Sequence, residues 1–149
     1  MNIIYRKIKP DERDQLLELY KHLNTNDLPL PEESAVAAKW QEILTDKKIH
    51  CVVAEAAGEL VASCVLIIIP NLTRGAKPYG LIENVVTHVE YRKKGIGRNL
   101  LQYALKIAWE CQCYKVMLLT GRKDEATLRF YENSGFVGGV KTGFIAYPK

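Results

Sequence analysis

The stretch with the clearest potential for chemistry reads RKKGIGR, from Arg92 to Arg98. Gly95 and Gly97 lie directly before an apolar run with helical spacing, and the preceding LIENVV is typical of a strand. A strand that turns through glycines into a helix is a common anion site, because the first N–H groups of a helix have no acceptor within it. Glycine also lets an anion approach the backbone, which a side chain would prevent. The stretch therefore predicts a site for an anionic group.

One carboxylate, that of Glu83, lies inside the strand LIENVV just before this loop. A charged side chain in an otherwise apolar strand costs free energy unless it faces a cavity or a partner. We therefore predict that Glu83 belongs to a site.

Two familiar phosphate-binding loops do not match these residues. A P-loop requires Gly-Lys-Ser or Gly-Lys-Thr after its glycines, and the sequence here is GIGRN. A dinucleotide-binding loop requires a third glycine where this chain has Leu100. The anion must be identified from other residues.

Strands and helices alternate along the chain in a pattern that predicts an α/β domain with a mixed sheet. The first half is predicted to contain an edge strand over Ile3–Ile8, two helices that begin near Pro10 and Pro31, a hairpin formed by IHCVVAEAAG and ELVASCVLIIIP with its turn at Gly58–Glu59, and the strand LIENVV. After the glycine loop we predict a helix, the strand YKVMLLT, a helix over DEATLRFYENSG with Asp124 as its N-cap and Gly135 at its end, and one or two final strands in FVGGVKTGFIAYP.

The composition indicates one globular domain spanning residues 1–149, large enough to bury a core without disulfides. Hydrophobic residues make up 48% of the chain and charged residues 26%, as is ordinary for such a domain. The longest apolar run, Cys64 to Pro70, is too short to cross a bilayer. No N-terminal signal is visible, so we expect a cytoplasmic protein without a membrane partner.

The charged and metal-binding residue types narrow the ligand further. The four cysteines and three histidines show no zinc-site spacing, so we expect free thiols and no metal. The net charge is +4, with cations clustered beside the glycine loop and at Gly121–Lys123. Nucleic-acid binders typically carry a longer basic stripe or a known motif. We therefore expect an anionic small molecule at the loop and no nucleic-acid partner.

The loop and a second motif together resemble a known family. Arg-x-x-Gly-x-Gly, after a strand and opening a helix, is similar to motif A of the GNAT superfamily of acetyl-CoA-dependent N-acetyltransferases. Downstream, RFYENSGF is similar to motif B of that family, with Phe130, Tyr131, Gly135 and Phe136 in register. The predicted order of elements also matches the family fold across nearly the whole chain. The resemblance implies a mixed, mostly antiparallel sheet flanked by helices, with two central strands that splay apart.

The resemblance implies acetyl-CoA as the cosubstrate. The start of the helix would bind the pyrophosphate, and the backbone of the preceding strand would bind the pantetheine arm. The implied cofactor-binding residues are Val85, Val86, Thr87, Arg92, Lys93, Lys94, Gly95, Ile96, Gly97 and Arg98. For several of the cations, a solvated surface position is the alternative interpretation. Core packing is the alternative for the two valines, and it is compatible with binding because the backbone makes the contacts.

The resemblance also implies two catalytic side chains. Glu83 corresponds to the acidic residue that many relatives carry before the splay, where it would take a proton from the acceptor ammonium directly or through water. His88 is the rival base, although its place in a turn favours solvent. Tyr131 would protonate the departing thiolate; the alternative is a tyrosine packed on the core. Neither Cys111 nor Cys113 is followed by a recognisable base, so we predict direct attack in a ternary complex rather than a covalent route.

The acceptor is specified less well than the donor. Many relatives have asparagine where this chain has Asp124, so that cofactor contact is not carried over, and an N-cap explains the aspartate. The segments IENVV, CYKVMLL and RFYENSGF are similar to glucosamine 6-phosphate N-acetyltransferases, although Asn84 replaces an aspartate of their pattern. A small-molecule primary amine is the expected acceptor, and a phosphorylated amino sugar is a minority hypothesis. A protein amine, a non-catalytic acyl-CoA sensor and a homodimer formed through the last strands stay open.

Overall fold

The computed structural model describes residues 1–149, and its framework is one five-stranded sheet. The strands occur in the sheet in the same order as in the chain, and all neighbours are antiparallel except the last pair. They are β1 (Ile3–Lys7), β2 (Ile49–Ala56), β3 (Glu59–Ile69), β4 (Tyr79–Thr87) and β5 (Val116–Met117). The predicted mixed, mostly antiparallel sheet is confirmed.

Helices cover both faces of this sheet. They are α1 (Arg13–Tyr20), α2 (Glu33–Thr45), a single turn α3 (Thr73–Ala76), α4 (Ile96–Glu110) and α5 (Glu125–Asn133), with 3-10 turns at Pro10–Glu12 and Val89–Tyr91. Side chains of α1 and α2 pack with one face of the sheet, and those of α4 and α5 pack with the other. No helix has both the length and the apolar character needed to span a membrane.

The larger core lies under α4. Its apolar positions recur with helical spacing, and they pack against inward-facing residues of the three central strands. The fully buried members include Leu100, Leu101, Ala104, Val52 and Leu66. The opposite face has smaller clusters formed by α1 and α2, where the Trp40 Nε1 donates a hydrogen bond of 2.9 Å to the Pro10 carbonyl. Helices thus pack on both faces of the sheet and hold the central strands in place.

The β2–β3 hairpin is confirmed, but its turn is one residue earlier than predicted. The two turn residues are Ala57 and Gly58, with φ of 51° and 83°. A two-residue hairpin of this kind requires positive φ at both positions, because its twist then matches that of the strands. An alanine in that conformation gives little warning in the sequence, so the turn was misplaced.

The predicted final strands are absent, and YKVMLLT contributes only the two-residue β5. From Phe136 onward the chain has no regular secondary structure, and it contains Gly138, Gly139 and Gly143, which weaken a strand. Several apolar side chains of this tail are exposed, Phe144 to 91%. Within one chain, the tail therefore pairs with no strand of the sheet.

An ion-pair network fixes the edge strand β1 to the rest of the fold. The Arg6 guanidinium contacts one Glu12 oxygen at 2.6 Å and a Glu55 oxygen at 2.6 Å, and Glu12 also accepts from the Lys9 N–H at 2.8 Å. The Arg6 hydrogen bond is the main cause that lowers the pKa of Glu12. The ionised form of this buried carboxylate is therefore favoured in the folded state.

Replacing Glu12 with glutamine is expected to lower the free energy of unfolding by about 2 kcal/mol at pH 7, through loss of charged hydrogen bonds. Because the folded-state pKa is lowered, this stabilisation is present above the ordinary glutamate pKa and is lost as pH falls through the folded value. Urea unfolding at pH 7 and at about pH 3 checks both statements. The exposed Glu59→Gln is the control, and an undiminished Glu12 effect in acid would contradict the ionic account.

Candidate active site

The central irregularity of the sheet is a β-bulge in β4. Ser63 of β3 is opposite Val86 and Val65 is opposite Glu83, so the single residue Cys64 faces two residues of β4. One of these two is Asn84, with φ of 54°. Asparagine tolerates this left-handed conformation better than most residues, and an extra residue bends a strand and breaks its alternation.

The bulge decides which side chains reach each face of the sheet. Glu83 shares the face of its partner Val65, which packs under α1 and α2. Asn84 lines a cavity on that same face, whereas Val85 packs on the opposite face beneath α4. Two consecutive polar residues of β4 thus lie on the same face of the sheet. In a regular strand, consecutive side chains would point to opposite faces.

Strands β4 and β5 part almost as soon as they meet. Their parallel pairing covers only Gly80 with Val116 and Leu81 with Met117. A Cβ on Gly80 would lie 3.0 Å from the Leu66 Cδ1 and 3.1 Å from the Val116 Cγ2, so glycine permits this close approach. Beyond Leu81 the edge of β4 no longer pairs with β5, which confirms the predicted splay.

The glycine loop leads from the end of β4 into the N-terminus of α4. Gly95 has φ of 79° and is the N-cap residue, and no side chain caps the helix. The first backbone bond of the helix runs from the Asn99 N–H to the Gly95 carbonyl, at 3.1 Å. The N–H groups of Ile96, Gly97 and Arg98 therefore precede the first helical bond, and they present the positive end of the helix dipole.

Four cations surround this helix end without a carboxylate partner: Arg92, Lys93, Lys94 and Arg98 are exposed and form no ion pair. The Lys94 Nζ lies 5.3 Å from the centre of the Tyr91 ring. The Arg92 guanidinium donates to the Thr87 carbonyl at 3.0 Å and to the His22 carbonyl at 3.1 Å. Arg92 therefore also fastens the end of β4 to the segment after α1.

The second glycine of the motif has a packing role that its sequence did not indicate. A Cβ on Gly97 would lie 3.1 Å from the Phe130 Cζ and 3.2 Å from the Thr87 Oγ1. Both distances are shorter than ordinary van der Waals contacts. Gly97 thus lets α5 approach the start of α4.

Tyr131 follows Phe130 on α5 and is half-buried. Its ring packs edge-on against Phe130 and Phe136, with centroid distances of 5.0 Å and 6.3 Å, beside the same core that contacts Val85. Burial raises the pKa of Tyr131, and the buried Cys64 thiol raises it further. The hydroxyl therefore keeps its proton throughout the neutral range. The structure therefore places the Tyr131 ring on the core under α4 and α5.

Two other sequence candidates have structural partners. The His88 Nδ1 accepts from the Glu90 N–H at 3.1 Å, and its ring lies 4.1 Å from that of His22. Asp124 is the predicted N-cap of α5, accepting from the Thr127 N–H at 3.1 Å, and it also pairs with Arg122. Hydrogen bonds from Thr127 are the main cause that lowers the pKa of Asp124. Neither residue is a free group beside Glu83.

A cavity of about 450 Å³ lies between α1, α2 and the sheet, and Asn84 is one of its lining residues. Tyr20 also lines it, and burial is the main cause that raises the pKa of this tyrosine. The sequence predicted the two helices that begin near Pro10 and Pro31 but not the cavity between them and the sheet. The asparagine inside a predicted strand was the one signal in the sequence, because asparagine tolerates the backbone conformation of a bulge.

No group of three or more His, Cys, Asp or Glu side chains is arranged to hold a metal.

The comparisons with known proteins agree with this geometry. The model of the "Acetyltransferase (GNAT) family" matches residues 13–136. The chain belongs to the GNAT family. GNAT proteins use acetyl-CoA, so the chain is an acyltransferase, and the resemblance inferred from the two motifs is confirmed.

Three GNAT relatives illustrate the range of similarity. A putative acetyltransferase from Agrobacterium tumefaciens has 43% identity and a TM-score of 0.90, covering 97% of this chain and 99% of its own. A glucosamine 6-phosphate N-acetyltransferase from Trypanosoma brucei brucei is 34% identical over 133 residues, which are 88% of this chain and 86% of the relative. A human N-alpha-acetyltransferase 30 is 36% identical over 76 residues, 50% of this chain and 21% of its own length.

Replacing Gly97 with alanine is expected to lower stability by about 1–3 kcal/mol, because the new methyl group displaces Phe130 or Thr87. The same displacement shifts the first N–H groups of α4, so we expect weaker binding of acetyl-CoA. Urea unfolding and calorimetric titration with acetyl-CoA check both effects. Gly138→Ala, where nothing lies within 4 Å of the added Cβ, is the control. Unchanged stability and affinity in Gly97→Ala would contradict the packing role.

Proposed function

We propose that this protein transfers the acetyl group of acetyl-CoA to the primary amine of a small molecule by direct attack in a ternary complex. The observation that carries the proposal is the opening between β4 and β5, which lies beside an uncapped helix N-terminus with four unpaired cations. A thioester with a phosphorylated tail matches both parts of this arrangement.

The donor would lie along the open edge of β4. The N–H groups of Ile96, Gly97 and Arg98 bind the pyrophosphate, while the exposed cations of RKKGIGR neutralise its charge. The backbone from Val85 to Thr87 bonds the pantetheine arm, as an added strand would. A free N–H of this segment stabilises negative charge on the thioester oxygen as the amine attacks.

Glu83 and Tyr131 would act on opposite sides of the thioester. Glu83, on the face of α1 and α2, takes a proton from the acceptor ammonium directly or through water. The neutral nitrogen then attacks the thioester carbon, and the C–N bond forms as the C–S bond breaks. Tyr131, on the face of α4 and α5, gives its proton to the departing sulfur. Its raised pKa, caused by burial, keeps that proton available.

Tyr131→Phe is expected to lower kcat by about 100-fold, and Glu83→Gln by a similar factor at pH 7. Activity of Glu83→Gln should recover as pH rises toward about 9–10, where the amine deprotonates without a base. Thiol release measured across pH, with acetyl-CoA-induced shifts in Tm, separates catalysis from binding. Tyr103→Phe, half-buried on α4, is the matched control.

Two outcomes of this experiment would contradict the proposal. Full activity in both variants would contradict the assignment of Glu83 as the base and Tyr131 as the acid. A wild-type protein that binds acetyl-CoA but turns over no amine would be an acyl-CoA sensor instead. Acetylation of a protein amine is the alternative within the same reaction class, and a cavity of small-molecule size, lined by the neighbour of Glu83, Asn84, favours the small molecule.

We also propose that the protein forms a homodimer through its C-terminal tail. The exposed apolar side chains of this tail are Val137, Val140, Phe144, Ile145 and Tyr147, and they have no strand to pair with in one chain. Light scattering should give twice the 16.9 kDa mass of one chain. Phe144→Ser should shift that mass toward the monomer and Lys141→Ser should not; a wild-type monomer at micromolar concentration would contradict the proposal.

A further inference from the structure

The cavity beside Glu83 has properties that select a class of acceptor. Its volume of about 450 Å³ lies within the range of small-molecule sites. It is bounded by α1, α2 and the sheet, and the strand residue Val65 that lines it is the register partner of Glu83. A molecule in the cavity would therefore have one end near the proposed base.

The interior of the cavity is apolar. Twelve of its sixteen lining residues are hydrophobic, which means that a polar guest would lose hydration without gaining hydrogen bonds. The main apolar contributors are Leu16 and Leu17 from α1, Val36 and Ile43 from α2, and Val65 and Ile67 from β3. An apolar guest would gain free energy in proportion to the surface that it buries.

The two cations at the cavity already have carboxylate partners. The Arg13 Nη1 lies 2.8 Å from a Glu33 oxygen, and its Nε lies 3.1 Å from an Asp14 oxygen. The Lys39 Nζ lies 2.7 Å from a Glu42 oxygen. Two positive charges thus face three negative charges, so this wall does not favour a phosphate group.

Apart from the two paired cations, the polar groups that line the cavity belong to Asn84 and Tyr20. Asn84, which the bulge directs to this face, lines the cavity together with Tyr20. The adjacent Glu83 is exposed and shares the same face. A guest would therefore meet a carboxylate, an amide and a phenol at one end and hydrocarbon at the other.

We infer that the acceptor is a primary amine with an aromatic or branched aliphatic group. The apolar group occupies the cavity, and the ammonium lies toward Glu83, where the acetyl transfer described above takes place. This inference rests on the proposed function and names its substrate class. It differs from the phosphorylated amino sugar that the name of the trypanosomal relative would suggest.

The test compares acetyl transfer to three amines: 2-phenylethylamine, ethanolamine and glucosamine 6-phosphate. Burial of the phenyl group should raise kcat/KM for 2-phenylethylamine about 10- to 100-fold above that for ethanolamine. Glucosamine 6-phosphate should be the poorest of the three substrates. Thiol release at saturating acetyl-CoA measures all three.

A pair of variants on α2 tests whether the cavity causes this preference. Ala35 lines the cavity from an exposed position, whereas Ala38 is exposed on the same helix and does not line it. Ala35→Phe should raise KM for 2-phenylethylamine about tenfold, because the new ring occupies the space of the guest. Ala38→Phe should leave it unchanged. The acetyl-CoA-induced shift in Tm confirms that both variants are folded.

The outcomes separate this inference from the proposed function. Preference for 2-phenylethylamine that is lost in Ala35→Phe alone supports the inference. Preference for glucosamine 6-phosphate or ethanolamine, or equal effects of the two variants, overturns the inference and leaves the acetyltransferase proposal standing. Absence of thiol release with every amine overturns both.

Discussion

One extra residue in β4 is the constraint on which the site depends. Because Cys64 faces both Asn84 and Val85, β4 loses its alternation shortly after its pairing with β5 has ended at Leu81. The bulge brings Glu83 and Asn84 to one face, and the other edge of β4 has no pairing with β5 beyond Leu81. A regular strand would direct one of the two polar residues to the face under α4, so the positive φ of Asn84 is strain that the fold retains at the proposed site.

The two recognisable motifs depend on each other through one contact. Gly97 begins α4 and meets Phe130 of α5, and the next residue of α5 is Tyr131. The absence of a side chain at Gly97 therefore sets the distance between the helix end that suits an anion and the tyrosine that suits proton transfer. The second glycine of the loop is therefore required by the packing of α5 on α4 as much as by the approach of a phosphate to the backbone.

The parts of the fold that could be predicted from the sequence are those with a regular spacing of apolar residues or with clear capping and turn residues. Strand-like apolar runs located the central strands, helical spacing located α4, and Asp124 and Gly135 marked the ends of α5. The turn was misplaced because an alanine rarely adopts the positive φ of Ala57. The brevity of β5 and the irregular tail were missed because pairing into a sheet depends on partners distant in sequence. Glu83 was singled out by the expected cost of a charge in an apolar strand, although its side chain is exposed in the structure. The cavity could not be predicted because its lining comes from five separate elements, α1, α2, β2, β3 and β4.

The donor and acceptor halves of the site differ in what holds the ligand, and this difference explains why the acceptor is harder to infer. A pyrophosphate and a pantetheine arm can be bound by backbone groups, so glycines and a splayed strand suffice and leave a readable motif. An acceptor is selected by side chains that α1, α2 and β3 bring together, and such a lining can change from polar to apolar without altering either motif. An identity of 34% to a glucosamine 6-phosphate N-acetyltransferase therefore supports the reaction more strongly than the substrate. In this chain the paired cations and apolar wall of the cavity argue for a different amine.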